Sequence, residues 1–261
     1  MNLNLKGKNA LVCGSTQGIG KACAEVLAGL GANITLCARN EDKLKLVCKN
    51  LDTSFGQIHD YIICNFSDSN TIDVALPKLL EKKKIHILIN NTGGPPGGEI
   101  VKASEEEFLQ AFNNHLICNH KLVGYVLKGM KEDQYGRIIN IISTSVKIPL
   151  KGLGVSNTIR GAVANWSKTL SNEVAQYQVT VNNVLPGATK TERLSSIIEN
   201  KARKQNLNRK DVENQMMNQV PMQRFAEAEE IANAVGFLAS PAASYITGIN
   251  VPVDGGRTGS L

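Results

Sequence analysis

The segment Cys13-Gly-Ser-Thr-Gln-Gly-Ile-Gly20 joins a short apolar run, Asn9–Cys13, to a helical pattern over residues 19–30. Three glycines between a strand and a helix let the backbone turn tightly and approach a pyrophosphate closely. The first turn of the helix supplies N–H donors and the positive end of the helix dipole to the same group. Glycines at this spacing also occur in turns that bind nothing, but their place in a βαβ unit favours a dinucleotide site.

The rest of the chain alternates between apolar strands and helical patterns. The hydrophobic pattern predicts further strands over residues 34–38, 58–64, 85–90, 137–142, 179–185 and 250–253. It predicts further helices over residues 41–51, 71–80, 104–130, 161–177 and 229–240, the third opening with the capping-box sequence Ser104-Glu-Glu-Glu107. Near-continuous apolar strands between helices predict an α/β fold of the Rossmann type, a doubly wound parallel sheet of about seven strands with helices on both faces.

Length and composition exclude several other classes of protein. The chain has 261 residues, of which 42% are hydrophobic and 20% charged, so we expect one folded domain over residues 1–261. The net charge is +6, but the basic residues are scattered and residues 82–84 form the only tight run, which does not predict nucleic-acid binding. No segment is typical of a signal peptide or a membrane span, and the six cysteines lack metal-ligand spacing. We therefore expect a cytoplasmic protein without a metal site.

Several segments in order resemble the short-chain dehydrogenase/reductase family, most closely its beta-ketoacyl-ACP reductase-like branch. They are the G-x-x-x-G-x-G loop, Asn90-Asn-Thr-Gly93, Ile139-Asn-Ile-Ile-Ser143, Val181-Asn-Asn-Val-Leu-Pro-Gly187, Pro221-Met-Gln-Arg224 and Ile246-Thr-Gly248. The resemblance implies an NAD(P)-dependent oxidoreductase acting on the carbonyl or alcohol of a small-molecule or acyl-carrier substrate. It also implies a substrate lid at about residues 190–222 and a homotetramer, or a homodimer, built on the helices near residues 107–130 and 161–177.

The glycine loop and the resemblance together predict the residues that bind the cofactor. Asn65 stands where the family has an adenine-contacting Asp, and Thr191 falls where the family places a threonine near the nicotinamide amide. The complete predicted set is Gly14, Ser15, Thr16, Gln17, Gly18, Ile19, Gly20, Arg39, Asn65, Asn91, Gly93, Arg160, Pro186, Gly187 and Thr191.

The end of the second strand favours NADP(H) over NAD(H). It reads Cys37-Ala-Arg-Asn40, without the carboxylate that would bind the ribose 2′-hydroxyl of NAD(H) and repel a 2′-phosphate. Arg39 instead offers a planar donor for a phosphate, and the hydroxyls of Ser15 and Thr16 add further donors. The alternative is that Arg39 is a solvated residue at the end of a strand.

The catalytic positions depart from the family. The resemblance implies a tetrad of Asn, Ser, Tyr and Lys, of which only Ser143 is kept; Ser156 and Arg160 replace Tyr and Lys, and His115 replaces Asn. A serine hydroxyl is shorter than a phenol and cannot be tuned to release a proton near neutrality, and arginine is effectively never deprotonated. Imidazole titrates near pH 6.5, so His115 or a bound water is predicted to supply the proton. Ser143 would orient the carbonyl and Arg160 would hold the cofactor.

Three functions remain open on the sequence: an oxidoreductase with rearranged proton delivery, a catalytically impaired nucleotide-binding module or sensor, and a structural protein whose glycine loop is only a turn. His115 is equally typical of a buried structural histidine, and Ser143 of a hydroxyl bonded to local backbone. Basic lid residues would attract an anionic substrate or carrier if they faced the site, whereas an exposed helix is the alternative. They are Arg193, Lys201, Arg203, Lys204, Arg209 and Lys210.

Overall fold

The computed structural model describes residues 1–260, and Leu261, the last residue of the predicted domain, lies outside them. Seven parallel strands form one sheet in the order β3-β2-β1-β4-β5-β6-β7. Their bounds are β1 Asn9–Cys13, β2 Asn33–Ala38, β3 Asp60–Ile63, β4 Ile87–Asn90, β5 Gly136–Ile141, β6 Val179–Pro186 and β7 Asn250–Val253. The strand order reverses between β1 and β4, where doubly wound sheets open a crevice at their carboxyl edge. The predicted fold class is confirmed.

Helices cover both faces of the sheet. Their bounds are α1 Gly18–Gly29, α2 Glu41–Lys49, α3 Asn70–Leu80, α4 Glu105–Phe112, α5 Cys118–Glu132, α6 Gly154–Val174, α7 Glu192–Gln205, α8 Arg209–Met217 and α9 Ala228–Ala239. Leu27 of α1 and Ile231 of α9 are fully buried on one face, as are Leu76 of α3 and Cys118 of α5 on the other. Burial of each large apolar side chain stabilises the fold by about 1.5–3 kcal/mol. No helix within residues 1–260 combines the length and apolar character needed to cross a bilayer.

The predicted helix over residues 104–130 contains a change of pitch. The capping box is present, because Ser104 Oγ accepts the Glu107 N–H at 3.3 Å and Glu107 Oε2 accepts the Ser104 N–H at 2.9 Å. Between α4 and α5, Asn113–Ile117 form a π-helical turn. A π turn adds a residue to the helical repeat, and such turns recur at functional sites. Here it carries His115, whose side chain is only 2% exposed.

Helix α6 begins at Gly154, seven residues before the predicted start. The first turn has a glycine and no side-chain cap, so the local pattern did not indicate a helix there. Val155 and Ile159 nevertheless pack against Ala111 of α4 in a small buried cluster. This tertiary packing outweighs the weak local propensity.

A row of amides crosses the sheet from β4 to β7. Asn90 Nδ2 donates to Asn140 Oδ1 at 2.8 Å, Asn140 Nδ2 to Asn183 Oδ1 at 2.9 Å, and Asn183 Nδ2 to Asn250 Oδ1 at 2.8 Å. These four residues are paired neighbours in the strand register. Since an unsatisfied buried polar group costs about 1–3 kcal/mol, the row fixes the register of the strands that end at the crevice. An asparagine within each of these apolar strands was the available signal, and the sequence analysis did not use it.

Candidate active site

The glycine loop after β1 forms a cradle of bare backbone. Gly14 and Gly18 have φ of +59° and +54°, values that favour glycine. A Cβ on Gly20 would stand 2.1 Å from the Gly14 carbonyl oxygen and 2.6 Å from Asn91 Nδ2. Residue 20 therefore has no room for a side chain, so the loop and the first turn of α1 approach closely through backbone, and helix N-termini of this kind bind anionic groups.

Two of the predicted cofactor-binding residues contact this loop. Asn91 Nδ2 donates to the carbonyl oxygens of Cys13 and Gly14, both at 3.3 Å, and so ties the loop to the end of β4. Thr191 caps α7, and its Cγ2 lies 3.1 Å from the point where a Cβ on Gly18 would stand. The N-terminus of α7 therefore lies directly against the glycine loop.

The other predicted cofactor residues have different surroundings. Gly187 follows Pro186 at the end of β6, and a Cβ on it would stand 2.7 Å from Asp254 Cα, so only glycine fits. Gly93 has open space around it. Asn65 Oδ1 accepts the Ser67 N–H at 3.2 Å and is thus engaged in its own loop. Thr16 and Ile19 lie half-buried within the glycine loop, and Gln17 is exposed at the N-cap of α1.

A basic surface lies beside the glycine loop. Arg39 is exposed and forms no ion pair with any residue from 1 to 260. Lys43 of α2 donates through Nζ to Gln17 Oε1 at 3.4 Å, which places a second cation at the loop. The sequence analysis missed Lys43, although the Arg39-to-Lys43 spacing across a helix start was a usable signal.

Ser15 departs from its prediction. Its side chain is fully buried, and its Oγ accepts the Cys37 N–H at 3.0 Å, bridging β2 and the loop. The hydroxyl is therefore not exposed to a 2′-phosphate, and Ser15 instead holds the loop against the second strand.

Ser143, Ser156 and Arg160 are positioned by β5 and α6. Ser143 caps the short turn after β5, where its Oγ accepts the Ser145 N–H at 3.1 Å. Because that bond uses the Ser143 oxygen as acceptor, its hydroxyl proton remains free to donate to a substrate. Ser156 and Arg160 are four residues apart on one face of α6, and both are 8% exposed. Arg160 Nη1 donates to the Ile141 carbonyl oxygen at 2.9 Å.

His115 lies in the same interior, and its imidazole is neutral at pH 7. Its Nδ1 is 2.5 Å from Thr92 Oγ1. Burial lowers the pKa of His115 to about 2, with further lowering by the charges of Arg160 and Arg193. The expectation that the His115 imidazole titrates near pH 6.5 therefore does not hold, because its burial and the two nearby cations arise from tertiary structure. A neutral imidazole still donates at one ring nitrogen and accepts at the other.

The lowered pKa of His115 predicts a component of acid instability. The unfolded chain takes up a proton at this imidazole below its ordinary pKa of 6.5, whereas the folded protein does not until about pH 2. We therefore expect stability to fall as pH drops from 6.5, by up to about 1.4 kcal/mol per pH unit from this group.

Urea unfolding of the wild type and of His115→Asn at pH 7 and pH 5 measures this component. The wild type should lose about 2 kcal/mol more than the variant between the two pH values. Since the pKa of His86 is also lowered by burial, the difference between the two proteins isolates His115. Equal pH dependence in both proteins would contradict the assignment.

Arg193 joins α7 to the loop after β4. Its Nη1 donates to the Gly94 carbonyl oxygen and its Nη2 to that of Pro95, both at 2.9 Å. The sequence placed Arg193 only among the basic lid residues. Its position beside Arg160 depends on the tertiary placement of α7, which no local sequence pattern encodes.

Comparisons with known proteins identify relatives that match this chain over nearly its whole length. The family model described as Enoyl-(Acyl carrier protein) reductase matches residues 14–258. The NADPH-dependent reductase BacG of Bacillus subtilis is 30% identical over 256 residues, covering 97% of this chain and 99% of BacG. The 3-oxoacyl-acyl-carrier-protein reductase FabG of Vibrio cholerae is 33% identical over 255 residues, covering 97% of this chain and 98% of FabG. L-sorbose reductase from Gluconobacter frateurii, solved with NADPH and L-sorbose, has a TM-score of 0.93 at 28% identity and covers 100% of both chains.

Proposed function

Because this chain belongs to the short-chain dehydrogenase/reductase family, we propose that it is an NADP(H)-dependent oxidoreductase that interconverts a carbonyl and an alcohol. The substrate is a small molecule or an acyl group on a carrier, as for 3-oxoacyl-ACP reductases. The observation that carries the proposal is the backbone cradle of Gly14, Gly18 and Gly20 at the head of α1. The preference for NADP(H) is supported by Arg39, by the NADPH-dependent BacG and by the NADPH-bound sorbose reductase.

We assign the cofactor-binding roles from the geometry. The glycine loop receives the pyrophosphate, and Arg39 with Lys43 receives the 2′-phosphate. Asn65 lies on the adenine side, where its amide nitrogen is the remaining donor. Asn91, Gly93, Pro186, Gly187 and Thr191 would hold the nicotinamide half, and Arg160 would hold its ribose. When bound, this cofactor supplies or accepts the hydride.

Ser143 donates its free hydroxyl proton to the substrate carbonyl oxygen, where negative charge develops during reduction. Proton delivery does not rest on a titrating side chain at neutral pH. Ser156 lines the same site with a hydroxyl too short to act as a phenol would. The neutral pair of Thr92 and His115 relays a proton from water by accepting at one ring nitrogen and donating at the other.

Binding and turnover separate the proposed activity from its alternatives. We expect NADPH to raise the melting temperature more than NADH does, and NADPH to be consumed with a panel of ketoacyl thioesters and small ketones or aldehydes. NADPH binding without turnover on the panel would favour a sensor or an impaired module. The absence of any shift with either cofactor would leave only a structural role.

Ser143→Ala is expected to lower kcat about 100-fold, because it removes a donor aimed at the developing oxyanion. The affinity for NADPH should stay unchanged, which fluorescence titration measures. The matched control is Ser145→Ala, since Ser145 Oγ is buried in the same turn without a hydrogen-bond partner. If Ser145→Ala abolishes activity and Ser143→Ala does not, the donor has been assigned to the wrong serine.

We also propose that the chain acts in the cytoplasm as a homotetramer or a homodimer. The six cysteines are all unpaired, as a reducing compartment favours. Leu109 and Phe112 of α4 are exposed apolar residues on one of the two long helical segments that would form the interface. Light scattering coupled to size exclusion measures the assembly, and a mass of one chain would contradict it.

A further inference from the structure

Two arginines meet at the mouth of the crevice with no carboxylate between them. Arg160 of α6 is buried, whereas Arg193 of α7 is exposed. The point where a Cβ on Gly94 would stand lies 2.8 Å from Arg193 Nη2 and 3.4 Å from Arg160 Nη2. The two Nη2 atoms are thus no further apart than the sum of these distances. Neither guanidinium forms an ion pair with any described residue of the chain.

Backbone carbonyl groups accept hydrogen bonds from some N–H donors of the two arginines, but no described carboxylate balances the two positive charges. Arg160 donates to one backbone carbonyl oxygen, that of Ile141, and Arg193 donates to those of Gly94 and Pro95. A guanidinium has five N–H donors, so both groups keep donors for a ligand. The pKa of Arg160 is lowered to about 10 by burial and by the charge of Arg193. An anion between the two groups would relieve this repulsion.

We propose that the substrate carries a carboxylate that binds between the Nη2 groups of Arg160 and Arg193, while another donor of Arg160 remains for the cofactor ribose. This inference rests on the oxidoreductase function proposed above and narrows its substrate to an oxo acid or the corresponding hydroxy acid. The planar fork of arginine matches a carboxylate through two parallel N–H···O bonds. Reduction adds a hydride to the carbonyl carbon and a proton to its oxygen, producing the hydroxy acid and the oxidised cofactor and leaving the carboxylate unchanged.

The neighbouring groups fit an anion better than a neutral substrate. Ser143 and Ser156 offer hydroxyls to the reacting oxygen, and the neutral imidazole of His115 adds no competing charge. The lid carries Arg193, so a carboxylate bound there would also hold α7 against the loop after β4. Binding of the acid therefore favours the closed site, from which water is excluded.

Binding of oxo acids to the NADP⁺-loaded protein tests this assignment without turnover. The probes are 2-, 3- and 4-oxo acids and their methyl esters, measured by calorimetry. We expect the best acid to bind at least about 10-fold more tightly than its ester. Arg193→Gln should lower the affinity for the acid about 10- to 100-fold and leave the affinities for the ester and NADPH unchanged. Arg203→Gln, which removes the same charge further along α7, should change none of them.

Gly94→Ala provides a variant that keeps the charge. Its Cβ would stand 2.8 Å from Arg193 Nη2, so the flexible guanidinium must move while the net charge stays the same. We expect Gly94→Ala to lower the affinity for the acid and to leave the affinity for the ester unchanged. Unchanged acid binding in Gly94→Ala would contradict the assignment, because the displaced guanidinium would then have no part in holding the carboxylate.

Several results would overturn the inference. They are equal affinity for acid and ester, no binding of any acid in the panel, equal losses in Arg193→Gln and Arg203→Gln, or weakened NADPH binding in Arg193→Gln with unchanged acid binding. Tighter binding of inorganic phosphate than of every acid would reassign the arginine pair to a phosphate group. Failure of the proposed function is distinct, since it appears as a wild-type protein that binds no NADPH, and the acid–ester comparison is then made without cofactor.

Discussion

Exchanging Arg39 for aspartate is expected to reverse the cofactor preference. The affinity for NADPH should fall about 100-fold or more, and the affinity for NADH should rise. Arg39 lies at the end of β2 without an ion-pair partner in residues 1–260, so the structure leaves its charge free for a 2′-phosphate. A hydrogen bond to a charged group contributes about 1.5–3 kcal/mol, and the new carboxylate adds repulsion. The same carboxylate accepts hydrogen bonds from the ribose hydroxyls of NADH.

Dissociation constants for both cofactors, measured for a short series of variants, separate the two effects. Arg39→Gln removes the positive charge without adding a carboxylate, so it should lower the affinity for NADPH without raising the affinity for NADH. Lys43→Gln should cause a smaller loss, because Lys43 Nζ also donates to Gln17. Lys49→Asp changes the net charge of the same helix, α2, away from the glycine loop and should leave the ratio unchanged. An unchanged ratio in Arg39→Asp would mean that Arg39 is only a solvated residue.

The fold was predictable because its signals are local. Apolar runs, the glycine loop and the capping box at Ser104 each depend on a few neighbouring residues, and the structure has all of them. The parallel direction of the strands then follows, because helices connect them, whereas the reversal of order that pairs β4 with β1 instead of β3 is tertiary. The start of α6 was missed because Val155 and Ile159 gain their stability from α4, which is distant in sequence.

The candidate site was predictable only in part, for the same reason. Residues tied to a motif, such as Gly14 and Asn91, were assigned from sequence, and the structure brings them together. The state of His115 depends on burial and on two arginines from other elements, so residue type alone gave the wrong protonation. The pairing of Arg160 with Arg193 likewise arises from tertiary structure. Chemistry carried by motifs is readable from sequence, whereas pKa values and charge pairs require the fold.

Gly20→Ala is expected to abolish NADPH binding and to destabilise the protein by about 1–3 kcal/mol. The added Cβ would stand 2.1 Å from the Gly14 carbonyl oxygen, 2.7 Å from its carbonyl carbon and 2.6 Å from Asn91 Nδ2. Two of these atoms are backbone and the third is bonded to the same loop, so none moves freely. The loop must open, which displaces the N–H groups that face the pyrophosphate.

Gly29→Ala is the matched control, since Gly29 ends the same helix, α1, and nothing lies within 4 Å of its Cβ position. Alanine is the better helix former, so this variant should be as stable as the wild type or up to about 1 kcal/mol more stable. Melting temperatures of the three proteins with and without NADPH provide the comparison. NADPH should stabilise the wild type and Gly29→Ala equally and leave Gly20→Ala unshifted. An equal shift in Gly20→Ala would mean that the cofactor does not approach the backbone at this glycine, and the site would have to lie elsewhere on the sheet edge.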